Sequence, residues 1–354
     1  MVLFEYKLSQ PLFYSAFSKK VVVMIRNVCL IIIAAASLSL GGCSSKRQQA
    51  EPYDGPPLTV AFVPRLSSVG ESPSYWQLVR AGAEQAADEL GNVEVLWRPP
   101  AGTESEFQVD VLNELGELEM DGVILAPRRK DDLVRAVERT IEGGTPVVVC
   151  EGGIDPGPAV SGFVSSDNLN RGKLAAEATA ELLGEQGNVI LLLHVVGNEL
   201  TRQREEGFLK EIKGYSKIEV VSSDQRGGET VESAEQKVGE LLQIFGGELD
   251  AICVVSAINA EGALKAIQSA GLSEQVQLIS LDRSDAMALA LASGSCAAVV
   301  LPDPFDLGYQ SVLMMVNSIV GRDYETPVST ESIVATAENL DETRVDALLF
   351  PAGE

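Results

Sequence analysis

From Leu58 onward one pattern repeats: a short apolar run, then a longer segment whose apolar residues fall on one helical face. Pro146-Val147-Val148-Val149-Cys150 is apolar throughout, and Ala251 to Val255 is another such run. A strand of this kind has no face it can show to water, so its sheet must be covered on both sides. Helices between successive strands supply that cover, which makes the sheet parallel and the class α/β, doubly wound. Strands are expected at 58–63, 93–97, 122–126 and 146–150, with helices at about 75–90, 105–119 and 130–142. The first helix carries Leu78, Ala81, Gly82, Gln85, Ala86 and Glu89 as one stripe of mainly small residues, and Gly91-Asn92 ends it.

The alternation breaks once. Val160 to Val164 runs into Ser165-Ser166-Asp167-Asn168, and a helix is expected from about Asn170 with Leu174, Ala175, Ala178 and Leu182 on one side. The pattern then restarts. Strands are expected at 188–193, 218–221, 251–255, 276–279, 297–300 and about 331–336. Helices are expected near 170–183, 201–212, 230–245, 259–270, 284–293 and 305–320. Two similar halves joined at this break leave a cleft between them, and in such sheets ligands sit at the carboxyl ends of the strands.

Residues ahead of Leu58 read differently. Met24-Ile25-Arg26-Asn27 is a positive start, Val28 to Leu40 an apolar core, and Leu40-Gly41-Gly42-Cys43 a small-residue ending. The core is short for a membrane span and has signal-peptide length. Leu-Gly-Gly-Cys looks like a bacterial lipoprotein signal over 24–43, in which Cys43 is lipidated and becomes the mature N-terminus. Residues 1–23 fit no part of it, so Met24 is read as the start. Residues 44–57 are a polar, proline-containing linker.

The 354 residues suffice for two domains, and a hydrophobic share of 45% describes a globular protein. A formal net charge of −24 argues against a nucleic-acid partner, which needs a basic face. Of the five cysteines, Cys29 belongs to the signal and Cys43 to the lipid, while Cys150, Cys253 and Cys296 lie in or beside apolar strands and read as small buried hydrophobes. No metal spacing, Gly-x-Ser-x-Gly elbow, Walker loop or Gly-x-Gly-x-x-Gly after the first strand is present, and His194 is the only histidine. A binding protein without metal or cofactor is expected rather than an enzyme.

Polar residues at strand ends carry the positive signal. Arg65 follows the first strand, Glu151 the fourth, Ser256 the 251–255 strand, and Asp282 the run Ile279-Ser280-Leu281. Carboxylates there can accept sugar hydroxyls and an arginine can donate to several. Tyr75 and Trp76 supply aromatic rings for apolar sugar faces. Each has a structural reading beside it: Asp282 as a helix cap, Tyr75 and Trp76 as packing, Glu151 as a solvated loop charge.

Several landmarks run in a fixed order: Tyr75-Trp76 before Ala81-Gly82-Ala83; Asp121-Gly122-Val123-Ile124; Thr145-Pro146-Val147-Val148; Ser166-Asp167-Asn168 with Gly172; Arg202-x-Arg204-x-x-Gly207-Phe208; Glu261-Gly262-Ala263-Leu264; Leu281-Asp282; and Asp303-Pro304-Phe305-x-x-Gly308-Tyr309. In these the chain from about Leu58 resembles the type I periplasmic sugar-binding proteins of the ribose-binding kind, the capture components of bacterial ABC importers. The resemblance implies two Rossmann-like lobes joined by three hinge crossings, at Ser165–Asn168, at Pro302-Asp303 and near 330. The lobes would be 58–165 with 303–330, and 166–302 with 331–354. It implies that Tyr75 and Trp76 sandwich the sugar, that Arg202 donates to ring hydroxyls, and that Asp282 is the main acceptor. Glu151 takes the place of an aspartate, Ser256 that of an asparagine or aspartate, and Pro302 that of a glutamine, so ribose itself fits less well than another sugar or polyol. Arg65 takes the place of a lysine found in relatives that bind a furanosyl signal. The partners implied are a sugar-like small molecule, an ABC permease with its ATPase, and the membrane through the lipid alone, with the chain acting as a monomer in the periplasm. The alternative is a ligand-sensing protein for a membrane receptor or kinase.

Overall fold

The computed structural model describes residues 49–65, 73–102, 104–129, 131–152 and 157–351. The signal segment with Cys43 and the first part of the linker, 44–48, lie outside the described residues. Ala50–Glu354 forms one compact unit.

That unit holds two six-stranded sheets. The first orders its strands β2-β1-β3-β4-β5-β11, from β1 (Leu58–Val63), β2 (Val93–Trp97), β3 (Gly122–Leu125), β4 (Val147–Cys150), β5 (Gly162–Ser166) and β11 (Val328–Thr330). The second orders them β7-β6-β8-β9-β10-β12, from β6 (Gln186–Leu192), β7 (Lys217–Ser222), β8 (Ala251–Val254), β9 (Gln277–Ser280), β10 (Ala298–Pro302) and β12 (Ser332–Thr336). The two orders are the same when each half is counted from its own first strand. All pairings are parallel except β10 with β12. Each sheet reverses its winding beside its first strand, and that is where a doubly wound sheet opens a crevice at its carboxyl edge.

The apolar runs form these strands because alternate side chains enter different cores. In the first sheet Val60, Phe62, Ile124, Val148 and Cys150 face α1 (Pro73–Leu90) and α9 (Pro304–Val320). Their neighbours Ala61, Val63, Val123, Leu125, Val147 and Val149 face α2 (Ser105–Glu117) and α3 (Val134–Glu142). In the second sheet Val189, Leu191, Cys253 and Ile279 pack on α4 (Asn168–Leu182) and α5 (Glu199–Ile212). Ile190, Leu192, Ile252 and Val254 pack on α6 (Val231–Phe245), α7 (Ala257–Ser269), α8 (Asp285–Ala292) and α10 (Thr343–Leu349).

Two elements have no counterpart in the sequence reading, β11 and α10. Three residues are too few to show a period, and β11 exists through its register with β5, Val328 opposite Val164 and Thr330 opposite Ser166. Helix α10 is held by the burial of Val345, Leu348 and Leu349. Helix α4 starts two residues before the expected Asn170, because Asp167 caps it by accepting from Asn170 N at 2.9 Å.

The chain passes from one sheet to the other three times: from β5 to α4 at Ser166-Asp167, from β10 to α9 at Pro302-Asp303, and from β11 to β12 at Glu331. The passages lie side by side. Asp167 N donates to Thr330 O at 3.3 Å, and Arg344 pairs with Asp303 at 2.9 Å and Glu331 at 3.9 Å.

Glycines set how closely the paired helices approach. On α4 and α5, Gly172 lies against the backbone of Arg204 and Gly207 against that of Leu169, with no room for a Cβ at either. Gly82 and Gly308 do the same for α1 and α9. Gly207→Ala therefore must spread α4 from α5, at a cost of about 1–3 kcal/mol by the overpacking rule; a lowered denaturation midpoint with unchanged m-value is the expected result. Cys253 and Cys296 are buried, and burial pushes both thiols up to about 12. Neither should react with iodoacetamide at pH 8 until the protein unfolds, as peptide mapping of the labelled protein will show.

Candidate functional site

Loops that leave the carboxyl ends of both sheets converge on one cavity. Arg65 comes from the end of β1, Tyr75 and Leu78 from α1, and Glu151 from the end of β4. Across from them stand Arg171 of α4, Leu200 and Arg204 of α5, and Asp282 and Arg283 after β9. Leu301, Pro302, Pro304 and Leu348 close the side toward the second passage.

An arginine–aspartate–arginine group dominates the second-sheet wall. Asp282 Oδ1 accepts from Arg171 Nη2 at 3.0 Å and from Arg283 N at 3.0 Å, while Oδ2 accepts from Arg204 Nη1 at 2.8 Å. The arginine side chains are 2% and 7% exposed and the carboxylate 25%. Backbone carbonyls take up further N–H groups: Arg171 Nη2 donates to Leu281 O at 2.6 Å and Arg204 Nη1 to Val255 O at 2.9 Å. Asn168 Oδ1 accepts from Arg204 Nε at 2.8 Å and from Arg171 Nη1 at 3.4 Å. Burial alone would raise the Asp282 carboxyl, but the Arg204 and Arg171 charges outweigh it and hold it below the usual carboxylate range. Arg171 is lowered, by burial first and by Arg204 second, with Asp282 opposing both.

The first-sheet wall is built on Glu151. Its Oε1 accepts from Ser166 N at 3.0 Å and from the Ser166 hydroxyl. Its backbone carries φ of 49°, in the left-handed region that a non-glycine residue occupies only under strain. The strained turn delivers a buried carboxylate to the cavity, and Arg65 Nη1 donates to the Glu151 carbonyl at 3.4 Å.

Four of the residues read from strand ends and the first helix thus line one cavity: Arg65, Tyr75, Glu151 and Asp282. Pro302 lines it too, and Asp303, at the second passage, caps α9 by accepting from Asp306 N at 2.9 Å. In the first passage Ser165 pairs with Ser329, Ser166 holds Glu151, and Asn168 holds the arginines.

Other expectations need correction. Arg202 does not reach the cavity: its side chain is 57% exposed and pairs with Glu199 at 2.6 Å and Glu206 at 3.0 Å. Two residues turn a helix by about 200°, so Arg202 and Arg204 point to opposite sides, and it is Arg204 that shares the buried stripe with Phe208 and Ile212. Trp76 is packed in the core between β1 and α9. It meets Tyr75 edge to face with centroids 5.3 Å apart, so the pair does not sandwich anything. Ser256 is buried at the start of α7, donating to Asn259 Oδ1 at 2.8 Å, and is not among the cavity residues. Asp282 does not cap the following helix; Ser284 does, accepting from Met287 N at 3.3 Å.

Arg171 was missed altogether. It stands on the stripe of Ala175 and Ala178, and an arginine on an apolar stripe of small residues is a visible sign of a buried charge with a distant partner. The partner, Asp282, lies 111 residues away in sequence.

The family model for the periplasmic binding protein domain matches residues 65–323. The ribose import binding protein RbsB of Haemophilus influenzae is 27% identical over 263 residues, 73% of this chain and 85% of that protein. The D-allose-binding periplasmic protein of Escherichia coli is 23% identical, over 70% of this chain and 81% of its own length. Among solved structures, AraP, an arabinose-binding protein of Geobacillus stearothermophilus, superposes with a TM-score of 0.73 at 23% identity, over 81% of this chain and 99% of its own. The periplasmic component of an ABC-type sugar transport system of Hahella chejuensis gives 0.64 at 28% identity, over 79% and 100%. The two-sheet architecture is that of type I periplasmic binding proteins. By the match over most of its length, this chain belongs to the periplasmic binding protein domain family.

Proposed function

We propose that the chain captures a sugar or a related small polyhydroxylated molecule for an ABC importer. The observation that carries this reading is the cavity itself, where arginine and carboxylate groups from the carboxyl ends of both sheets meet beside apolar Tyr75, Leu78, Leu200 and Leu301. A hydroxylated ring needs that combination of donors, acceptors and apolar cover. The relatives named for ribose and allose point the same way.

Capture would work by closure. The cavity offers about 60 Å³, under half of the roughly 150 Å³ that accommodates benzene, so a sugar ring needs the walls to part. The lobes 58–165 with 303–330 and 166–302 with 331–354 would turn about the three passages, and a ligand touching both walls would favour the closed state. Ser165, Ser166, Asp167, Asn168, Pro302 and Asp303 are the hinge residues in this reading. The backbone bond from Asp167 to Thr330 and the Arg344 pairs would keep the passages moving together.

Delivery would be to a permease and its ATPase from the periplasmic side, with the protein held by lipid on Cys43. A role in presenting the closed form to a membrane receptor or kinase uses the same motion, and co-purification from membranes distinguishes the two by the partner recovered. Intact-mass measurement should show a chain starting at a lipidated Cys43; any peptide from residues 1–23 in the mature protein sinks that assignment.

Asp282 is the counterion of two buried arginines, so its removal should act on folding as well as on binding. Breaking such a group by deleting one partner costs about 3–5 kcal/mol, and Asp282→Ala is expected to lose that much in urea unfolding at pH 7. The native carboxyl titrates lower than the unfolded one, so the stability it confers is fully present above the unfolded value of about 3.9 and is lost as pH falls through the native value. Wild type and Asp282→Asn should therefore differ in stability at pH 5 and draw together only as pH is lowered below the unfolded value; a gap that does not change with pH would mean that the charge plays no part. A thermal-shift screen against pentoses, hexoses, sugar acids and polyols tests the function directly. A rise in the midpoint with at least one of them is expected, and none with any would overturn the capture reading.

A further inference from the structure

The charge and hydrogen-bond balance of the cavity says more about the ligand. Four arginines line it, Arg65, Arg171, Arg204 and Arg283, against two carboxylates, Glu151 and Asp282. Asp285 pairs with Arg283 from just outside.

The two carboxylates are largely occupied. Three N–H groups converge on Asp282, and Ser166 places two hydrogen bonds on one oxygen of Glu151. Donors are left over. Arg204 Nη2 makes no hydrogen bond among the described residues, although Nε and Nη1 do. Arg171 Nε is buried with no hydrogen-bond partner among the described residues, on a side chain 2% exposed. A buried guanidinium with N–H groups unmade is costly unless another group completes it. The complement of this wall is an acceptor-rich, negatively charged group, for which a planar guanidinium fork is the matching donor.

Resting on the capture reading above, we propose that the ligand is an anionic sugar derivative, a sugar skeleton bearing a carboxylate or phosphate that sits against Arg204 and Arg171. Glu151, on the opposite wall with its second oxygen not hydrogen-bonded among the described residues, takes hydroxyl donors from the rest of the skeleton. The formal charge of −24 opposes an anion at long range. At physiological salt, however, that field is screened beyond about 8 Å, whereas groups inside a closed cavity are screened much less. Charge on the exterior slows arrival; charge in the cavity decides what stays.

Calorimetric titration of the purified protein at 0.15 M salt tests this, with D-glucuronate, D-gluconate and D-ribose 5-phosphate set against D-glucose, D-ribose and xylitol. At least one anion should bind 10-fold or more tightly than every neutral probe; the carboxylate and phosphate arms then identify the group. Arg204→Gln should reduce that preference at least 10-fold. Should that variant fail to fold, as its circular dichroism would show, the half-buried Arg65→Gln serves instead, with an expected drop of 3-fold or more in anion affinity against little change for neutral sugars. Tight binding of a neutral sugar with no anion preference overturns this inference and leaves the capture reading intact. No binding of any probe overturns both.

Discussion

Asn168, Arg171, Arg204 and Asp282 form a single buried polar group, and the cavity depends on it. The members come from three places: Asn168 and Arg171 from helix α4, Arg204 from helix α5 and Asp282 from the loop after β9. A charge inside a low-dielectric interior must be compensated, and the compensation has to arrive from elsewhere in the chain. Here one carboxylate answers two guanidiniums, and the carbonyl oxygens of Leu281 and Val255 take up further N–H groups. The group therefore joins helix α4, helix α5 and the edge of the second sheet into a rigid wall. It also converts Asp282 from an open acceptor into a counterion, which turns the wall from acceptor to donor.

The close helix contacts make this geometry possible. Gly172 and Gly207 allow α4 and α5 to touch through backbone, and Arg171 and Arg204 stand within one turn of those contacts. On the other sheet Gly82 and Gly308 bring α1 against α9, which places Tyr75 at one edge of the cavity and Pro304 at another. Each wall is thus mounted on a tightly packed helix pair. The passages between the walls are short, and the residues in them are already engaged: Ser166 with Glu151, Asn168 with the arginines, Asp303 with Arg344.

Most strands and helices were legible because their signal is local. An apolar run such as Val147–Cys150 has one solution, a strand covered on both faces. The first helix was legible but its phase was not: Val79, Ala83, Ala86 and Leu90 form its buried face, while Ala81, Gln85 and Glu89 of the stripe read from the sequence are exposed. Strand-end positions of Arg65, Glu151 and Asp282 followed from the same reading, since doubly wound sheets present their carboxyl edges to ligands. What failed was orientation. Arg202 and Arg204 are two residues apart in one motif, and only the helix phase, fixed by burial of Phe208 and Ile212, decides which faces inward. Tyr75 and Trp76 are adjacent, and it is Trp76 that enters the core cluster with Phe62 and Leu307, while Tyr75 lines the cavity.

The sequence alone determined that the chain builds two doubly wound halves with polar groups at strand ends beside a shared cleft. These follow from periodicity and short motifs, which depend on neighbours along the chain. Tertiary structure decided which arginines enter the cleft, that β11 joins the edge of the first sheet, and that Asp282 is held between two buried cations. Those outcomes rest on contacts between residues a hundred or more positions apart, such as Arg171 with Asp282 and Val164 with Val328. No local pattern encodes such a contact, because its energy exists only once the sheets and helices have brought both partners to the same place.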